Sequence, residues 1–377
     1  VTLRNRTETS GVTKIEGAVV VDAKGGKGGN AGVSLEGTSG KPERGGTGGN
    51  GGNALLTMGL QTSVSATSSD QKELRAALLS KTNGGLGGAG SGSHSPGLGA
   101  GDGGYGGDGG SSSITTQGVV TTHGSHLHGG LAQAIAGVGG DGGDEEALFK
   151  SVAGDGGTGG SGGEVYINAD PGSDILVVGE NSIGLLAQSI GGGGGAGGNA
   201  TALGVLASVA IGGYGGAGGD GGVRANITLD GTVLTNRSST NQYSTQAGGG
   251  ALVQNIGGNG GHAGSAVSGG MDILTLAIGN QGGGGGAAGP AKISSKDSVV
   301  TTYGDHAVGL EAQSIGGGGG KGGTAITTGV SAAFVATSVS LGGSGGSGGT
   351  GGVADIDNSS QVITYGPDAT AIKSSSI

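Results

Sequence analysis

Cysteine and tryptophan are absent from this sequence of 377 residues, and aromatic residues make up only 2% of it. Without cysteine, the chain cannot form disulfides, cysteine-ligated zinc sites or thiol nucleophiles. The scarcity of large side chains argues against a conventional thick core, and the apolar residues present, mainly valine, isoleucine, leucine and alanine, suit thin layers. We therefore expect the fold to be stabilised by repetition.

Basic residues are also few: 17 Lys and Arg stand against 27 Asp and Glu, which gives a formal net charge of −10. Nucleic-acid binding depends on Lys and Arg to neutralise phosphates, and no basic run occurs, so we expect no nucleic-acid partner. No stretch approaches the roughly 18 apolar residues of a membrane-spanning helix. The sequence begins at Val1 without a signal peptide and ends inside a repeat, so we expect it to be part of a longer polypeptide.

Glycine dominates the composition: 103 Gly and 5 Pro make up about 29% of the chain, a content typical of low-complexity sequences. Collagen is excluded because Gly does not recur in a Gly-X-Y frame with abundant Pro. Each Gly loses more backbone freedom on folding than any other residue, and it brings no side chain to bury. An ordered chain of this composition therefore requires dense backbone hydrogen bonding.

A phrase built around a glutamine recurs and identifies an internal repeat. Its copies, called anchors here, are 130–135 (GLAQAI), 185–190 (LLAQSI), 251–256 (ALVQNI) and 310–315 (LEAQSI), and a fifth begins at Ala371. The glutamines Gln133, Gln188, Gln254 and Gln313 follow one another at spacings of 55, 66 and 59 residues. A β-branched run and a turn at Gly precede the anchors at 119–122, 175–178, 299–302 and 362–364, so we predict strand, turn and second strand.

Alternation within an anchor strand predicts which side chains share a face. Leu186, Gln188 and Ile190 are expected on one face; Leu185, Ala187 and Ser189 are expected on the other. The four glutamines could form an amide ladder across coils. We favour the alternative, a hydrogen-bonded interior or edge position that duplication has repeated.

Each repeat also carries a glycine tract in which Gly-Gly-X recurs every three residues, as in 101–110, 156–163, 212–222 and 342–352. A three-residue period matches a polyproline-II-type helix. Glycine on two of three faces would let neighbouring backbones hydrogen-bond, and the third face would carry small or polar side chains outward. The competing interpretation is a flexible linker. We predict strands in the apolar segments 202–211, 271–278 and 326–341.

These patterns predict an all-β fold: a repetitive parallel β-helix or β-solenoid with interleaved polyglycine-II-like tracts, in which one repeat makes two or three coils. Residues 115–377 form the repeat solenoid, with about 55–66 residues per repeat, and residues 1–114 form a divergent N-terminal glycine-rich region. A short helix is predicted at about 69–82, where Ser68 and Gln71 match a capping box. A second is predicted over 144–154.

The recurrent phrase, with five glycines after it at 185–195 and 310–320, resembles the passenger regions of large bacterial autotransporter (type V secreted) proteins. The resemblance covers roughly residues 115–377. It implies a parallel β-helical passenger on the outside of a Gram-negative cell. It also implies a carboxy-terminal membrane barrel, which is missing from this sequence.

Histidines provide one candidate for chemistry. His123, His126 and His128 have a spacing that can bind transition metals, and His126 and His128 are expected on one strand face. In the repeat alignment, however, His126 falls where His306 and Asp368 stand. We interpret these as variable polar turn positions and predict no metal ligand.

Acidic residues provide two further candidates. Residues 139–144 (GGDGGD) match the start of a calcium-binding β-roll repeat, but the nonapeptide is not reiterated. Glu145 and Glu146 are interpreted as solvated charges in a first helical turn. Lys and Arg are scattered, which argues against a polysaccharide lyase or hydrolase. We predict no catalytic residue, no cofactor and no enzyme activity.

These observations favour an extracellular structural or adhesive segment, the cell-surface passenger of a larger secreted protein. Its expected partners are a host or neighbouring-cell surface, or copies of itself. One alternative is a subunit of a self-assembling extracellular fibre stacked head to tail, because both termini look like unfinished coils. A second is a phage tail-tip adhesin, a class that also uses packed polyglycine tracts. Ice binding ranks last, because Thr-x-Thr spacing is irregular.

Overall fold

The computed structural model describes residues 6–9, 12–31, 43–67, 75–93, 99–237, 248–271, 273–329 and 337–377. Within these ranges the chain forms 27 β-strands and no helix, so the prediction of an all-β fold is confirmed. The described residues accordingly contain no helix that is long and apolar enough to cross a membrane.

The strands are numbered here in chain order. They are β1 (Arg6–Thr9), β2 (Val12–Glu16), β3 (Val19–Lys24), β4 (Ala54–Met58), β5 (Thr62–Thr67), β6 (Ala76–Asn83), β7 (Ser112–Thr116), β8 (Val119–His123), β9 (His128–Ile135), β10 (Glu145–Ala147), β11 (Lys150–Val152), β12 (Val165–Ala169), β13 (Asp174–Val178) and β14 (Ile183–Ile190). The remaining strands are β15 (Ala200–Gly204), β16 (Ala207–Ile211), β17 (Ala225–Asp230), β18 (Val233–Arg237), β19 (Gly249–Ile256), β20 (Ala266–Gly270), β21 (Leu274–Ile278), β22 (Ala291–Tyr303), β23 (Val308–Ile315), β24 (Ala325–Gly329), β25 (Thr337–Leu341), β26 (Ala354–Tyr365) and β27 (Thr370–Ser376).

One turn of the chain, called a coil here, is complete between residues 165 and 224. β12, β13 and the anchor strand β14 lead into an outbound glycine tract, 191–199. β15 and β16 then form a tip that reverses the chain, and a return glycine tract, 212–224, leads back to β17. The two tracts run antiparallel, because the amides of Gly213, Gly216 and Gly219 donate to the carbonyls of Gly198, Gly195 and Gly192 respectively.

Successive coils stack through parallel strands. β9, β14, β19 and β23 are neighbours in a seven-stranded sheet, and the tip strands form two four-stranded sheets, β10-β15-β20-β24 and β11-β16-β21-β25. Gln188 pairs with Gln133 on one side and with Gln254 on the other. One repeat therefore makes one coil, and the expectation of two or three coils per repeat is wrong. Strands before residue 115 join the same sheets, as when β6 pairs with β9.

Two apolar cores lie inside the stack of coils. The larger core lies between the seven-stranded sheet of the anchor strands, called the anchor sheet here, and the twelve-stranded sheet that contains β12 and β13. Ile167, Ile175 and Leu185 are buried in this core. The smaller core lies in the tip and consists of alanines such as Ala202, Ala210 and Ala277. Small side chains allow the two tip sheets to approach closely, which is the thin layering that the composition predicts.

The glycine tracts connect these two cores through backbone hydrogen bonds that alternate between outbound and return tracts. A single series of such bonds passes through all twelve tracts that the structure describes, each with a donor–acceptor distance of 2.7–2.9 Å. It runs from the Gly26 carbonyl through Gly49, Gly85, Gly107, Gly137, Gly160, Gly192, Gly219, Gly258, Gly286 and Gly317 to Gly349. The tracts therefore satisfy their backbone groups by contact with one another.

The prediction of a helix at about 69–82 is wrong for the part of this segment that the structure describes. Residues 68–74 lie outside the described residues, and residues 76–83 form strand β6. Alternate residues of β6 are buried, and Leu79 pairs with Leu131 of the next anchor. Stacking between β3 and β9 buries one face of this segment and completes its hydrogen bonds, which outweighs its local helix propensity.

The helix predicted over 144–154 is also wrong. The segment forms the tip strands β10 and β11, which pair with β15 and β16 of the next coil. It is therefore the counterpart of residues 200–211 and not an insertion between repeats. Its short strands pair across the coil boundary, and such long-range pairing cannot be inferred from local capping signals.

Candidate functional site

The anchor glutamines form a ladder of side-chain amides along the stack. The Nε2 of Gln133 donates to the Oε1 of Gln188 at 2.7 Å, and the same bond joins Gln188 to Gln254 and Gln254 to Gln313 at 2.6 Å. Gln313 then donates to Glu311, which forms an ion pair with Lys373. The amide ladder, the less favoured of the two arrangements considered for these glutamines, is thus the one observed. Leu185 and Ala187 lie on the opposite, core-facing side as expected.

The residue after the glutamine has a role that the sequence analysis missed. The Oγ of Ser189 donates to the Gly163 carbonyl at 2.7 Å and accepts from the Gly222 amide at 2.8 Å. Asn255 bonds in the same way to the next return tract, to Gly222 and Gly289. These buried side chains hold the end of each return tract against the anchor sheet. The recurrence of Ser or Asn after Gln was the available signal.

The third, outward position of the glycine triplets carries a second ladder. At this position an Asp, Asn or His side chain accepts a hydrogen bond from the backbone amide of the equivalent residue one coil later. Asp155, for example, accepts from the Tyr214 amide at 2.8 Å. The same bond is made by Asn30, Asn50, Asn53, Asp102, Asp108, Asp141, Asp144, Asn199, Asp220, Asn259 and His262. The outward amides, which lie away from the opposite tract, are thereby satisfied.

The tips expose large apolar side chains on three successive coils. Their exposed fractions lie between 44% and 67%. The tips stack directly, since the Phe149 carbonyl accepts from Val209 and the Leu206 carbonyl accepts from Ile273. We call this set the apolar tips: Leu148, Phe149, Leu203, Val205, Leu206, Met271, Ile273 and Leu274. The equivalent residues 330–336 of the following coil lie outside the described residues.

A groove of about 680 Å³ runs along the stack where the tip strands enter the return tracts. One wall is a column of aliphatic side chains, Val152, Ile211 and Ile278, which are in register across three coils. The other wall is the outward column of Asp102, Asp155 and Tyr214. Lys150 and Asn280 also line it, and glycine and alanine backbone forms part of its surface. We call this feature the axial groove.

The carboxylates of the axial groove differ in environment. Burial raises the pKa of Asp155, and the nearby charge of Asp102 raises it further. The hydrogen bond from the Tyr214 amide and the charge of Arg44 lower this pKa but do not cancel the rise. Arg44 itself lies over the ring of Tyr105, 4.1 Å from its centroid, outside the groove lining. The groove therefore combines an apolar wall with a weakly solvated acidic wall.

The three histidines considered as metal ligands do not converge. His128 accepts a hydrogen bond from the Ile183 amide through Nδ1, and burial, with the nearby charges of His126 and Arg75, lowers its pKa from 6.5 to about 4. His126 lies in the turn with a φ of 60°, so the expectation that it shares a strand face with His128 is wrong.

The histidine turn position recurs along the stack, as the alignment predicts. His126, Asn181, His306 and Asp368 all adopt a left-handed conformation there. Asp305, His306 and Asp368 form the only group in the described residues whose potential ligand atoms lie close enough for a metal, within 4.8 Å. His306 and Asp368 are exposed, as is usual for a polar turn. We assign no ligand to this group.

Of the acidic residues considered as calcium ligands or as a catalytic pair, Asp141, Asp144 and Glu145 accept hydrogen bonds from backbone amides. Asp141 and Asp144 accept backbone hydrogen bonds from Ala196 and Asn199, as described for the outward ladder. Glu145 is only 1% exposed and accepts from the amides of Gly99 and Val152, so its interpretation as a solvated helical charge is wrong. Burial raises the pKa of Glu145. It lies at the position that Ala200 occupies in the next coil, at the edge of the tip sheet.

Comparison with known proteins identifies no family. No protein-family model matches the chain, and no curated protein does. Among solved structures, the chain has a weak match to the springtail antifreeze protein from Granisotoma rainieri, a bundle of nine polyproline type II helices. The two are 21% identical over 55% of this chain and 92% of the other, with a TM-score of 0.11. That score is too low to support a shared fold.

Proposed function

We propose that this chain is a non-catalytic extracellular structural and adhesive segment, the cell-surface passenger of a larger secreted protein of the autotransporter type. The exposure of apolar side chains at three successive tips supports the adhesive part of this proposal. Large contiguous apolar surfaces are rare on soluble monomers unless they contact another surface. The repeated anchor phrase supports the autotransporter context.

The structural part of the proposal rests on the glycine tracts, which we propose are polyglycine-II-type helices. Their hydrogen bonds support this, because they recur at every third residue. The amides of Gly192, Gly195 and Gly198 donate to carbonyls in the preceding return tract, at Gly160, Gly157 and Gly154 respectively. A helix with three residues per turn presents one donor per turn to each neighbour. Such an array would hold the apolar tips at a fixed distance from the anchor sheet.

The adhesive role is tested by removing the apolar tips. The triple variant Phe149→Asn, Leu206→Asn and Ile273→Asn should keep the fold, because these side chains are exposed, and should lose most binding of the labelled protein to intact cells. Val223→Asn is the matched control, because Val223 is exposed but lies outside the tips. Equal binding by the triple variant and the control would contradict the adhesive role of the tips.

The cellular location is tested on intact source cells. An antibody against this segment should detect it before, and not after, treatment with external protease. A blot should show the segment within a much larger, membrane-retained chain. Detection only in sheared filaments at the mass of the segment would favour the fibre subunit, and absence from the surface would contradict both.

A further inference from the structure

The axial groove has the geometry of a site for an extended chain. Its two columns follow the stack: Val152 and Asp155 come from one coil, and Ile211 and Tyr214 come from the next. Asp102 extends the polar column into the preceding coil, and Ile278 extends the aliphatic column into the following one. Successive strands are spaced by roughly 4.8 Å, so the groove offers similar environments at that interval. A ligand that fits it would be elongated, with an apolar face on one side and polar groups along the other.

The chemistry of the walls narrows the class of ligand. Asp102 and Asp155 each use Oδ1 to accept a backbone amide, which leaves Oδ2 for a ligand. Among the lining residues two carboxylates stand against one Lys150, and Arg44, whose charge acts on Asp155, lies outside the lining; this excess of carboxylates disfavours an anionic polymer. A peptide that binds by adding a β-strand is also disfavoured, because the backbone bonds of β16 and β21 are already made between coils. In the edge strand β11, the Val152 amide donates to Glu145 and the Val152 carbonyl accepts from the Ala100 amide.

Tyr214 lies at the polar wall, next to Asp155, and half of it is exposed. An aromatic face attracts both cations and the C–H face of a sugar ring. The aliphatic column of Val152, Ile211 and Ile278 lines the same groove. The groove therefore offers apolar contacts for the rings of a ligand, and carboxylates beside an aromatic face for its amino groups.

We propose that the axial groove binds an extended saccharide chain that carries amino groups, with Asp102 and Asp155 pairing with the amines and Tyr214 packing on a ring. This site is separate from the apolar tips. It can therefore be tested in solution, independently of surface adhesion and of the location of the full-length protein.

The chain supplies substitutions that should preserve the fold. Asn at the outward position accepts the next coil's amide as Asp does, as Asn199 and Asn259 show. The double variant Asp102→Asn and Asp155→Asn should therefore keep the outward ladder while it removes both charges. Tyr214→Ala should also be tolerated, because alanine already occupies the same outward position one triplet later, at Ala217. Tyr105→Ala is the matched control, because Tyr105 is an exposed tyrosine of the same type of tract outside the groove lining.

The experiment is isothermal titration of the whole chain with a glucosamine hexamer, cellohexaose and spermine. We expect the glucosamine hexamer to bind best. Its affinity should fall by roughly tenfold in the double Asn variant and in Tyr214→Ala, the size of change that losing one partly buried contact produces. Tyr105→Ala should bind like the unmodified protein.

Three outcomes would overturn the proposal. The first is no binding of the glucosamine hexamer at millimolar concentration. The second is equal affinity for spermine, which would mean that charge alone is recognised. The third is equal loss of binding in Tyr105→Ala, which would place the site elsewhere. Circular dichroism of each variant separates loss of binding from loss of fold.

Discussion

In the interior tracts, glycine is required at two positions of a triplet for a steric reason that the third position does not share. A Cβ on Gly192 would overlap the Gly137 carbonyl of the facing tract, whereas a Cβ on Gly193 would come no closer than 3.6 Å, to the Asn259 carbonyl. The same tract therefore contains one glycine that permits close contact and one that faces outward.

Gly192→Ala should destabilise the fold by about 3 kcal/mol, because the tracts must separate and lose backbone hydrogen bonds. Gly193→Ala should be neutral or stabilise the fold by about 0.5 kcal/mol, because it restricts the unfolded chain without a clash. The measurement is the free energy of unfolding in urea. Similar losses in the two variants would mean that the tracts do not pack as described.

His128 makes stability depend on pH, because its pKa in the folded chain is about 4, below the ordinary 6.5. The unfolded chain binds the proton more readily, so this contribution is fully present above pH 6.5 and is lost as pH falls towards 4. The loss should be at most about 3 kcal/mol. Glu145, whose pKa is raised, acts in the opposite sense.

The measurement for His128 is the urea midpoint between pH 7 and 4, in the unmodified chain and in His128→Asn. The amide oxygen of Asn can still accept a hydrogen bond from Ile183, but it does not titrate. The variant should lose most of the decline that the unmodified chain shows over this range. An equal decline in both proteins would assign the pH dependence to other groups.

At the scale of the element, strands were predictable where the sequence repeats and mispredicted where it diverges. The β-branched runs and the anchors gave the positions of β13, β14 and β23, because alternation and repetition specify both face and register. β6 was mistaken for a helix because Leu and Ala favour helices locally, and only its pairing with β9 makes it a strand.

The candidate sites were less predictable than the strands. Apolar tip residues such as Leu206 have the composition of a core strand, and their exposure depends on where the chain reverses. The axial groove combines residues 102, 155 and 214 from three coils, so no local motif contains it. The coil count was wrong for a related reason: glycine tracts lengthen a coil without adding strands, so repeat length alone overestimates the number of turns.

At the scale of the whole molecule, the fold separates a constant frame from variable surfaces. The anchor sheet contains seven strands, so the stack is about 29 Å high at roughly 4.8 Å per strand. In the interior tracts, two of the three residues of a glycine triplet contact neighbouring tracts, while the tips and outward positions differ from coil to coil. Duplication of a coil would therefore extend the frame and add new surface at the same time.

The glycine tracts and the strands form one hydrogen-bonded stack. Hydrogen–deuterium exchange resolved to single amides tests it most directly. We expect Gly160, Gly192 and Gly219, whose amides donate between facing tracts, to be protected as strongly as anchor-strand amides and to lose protection together with them in urea. Rapid exchange of these amides beside protected strands would show that the tracts are flexible linkers, and would contradict the account.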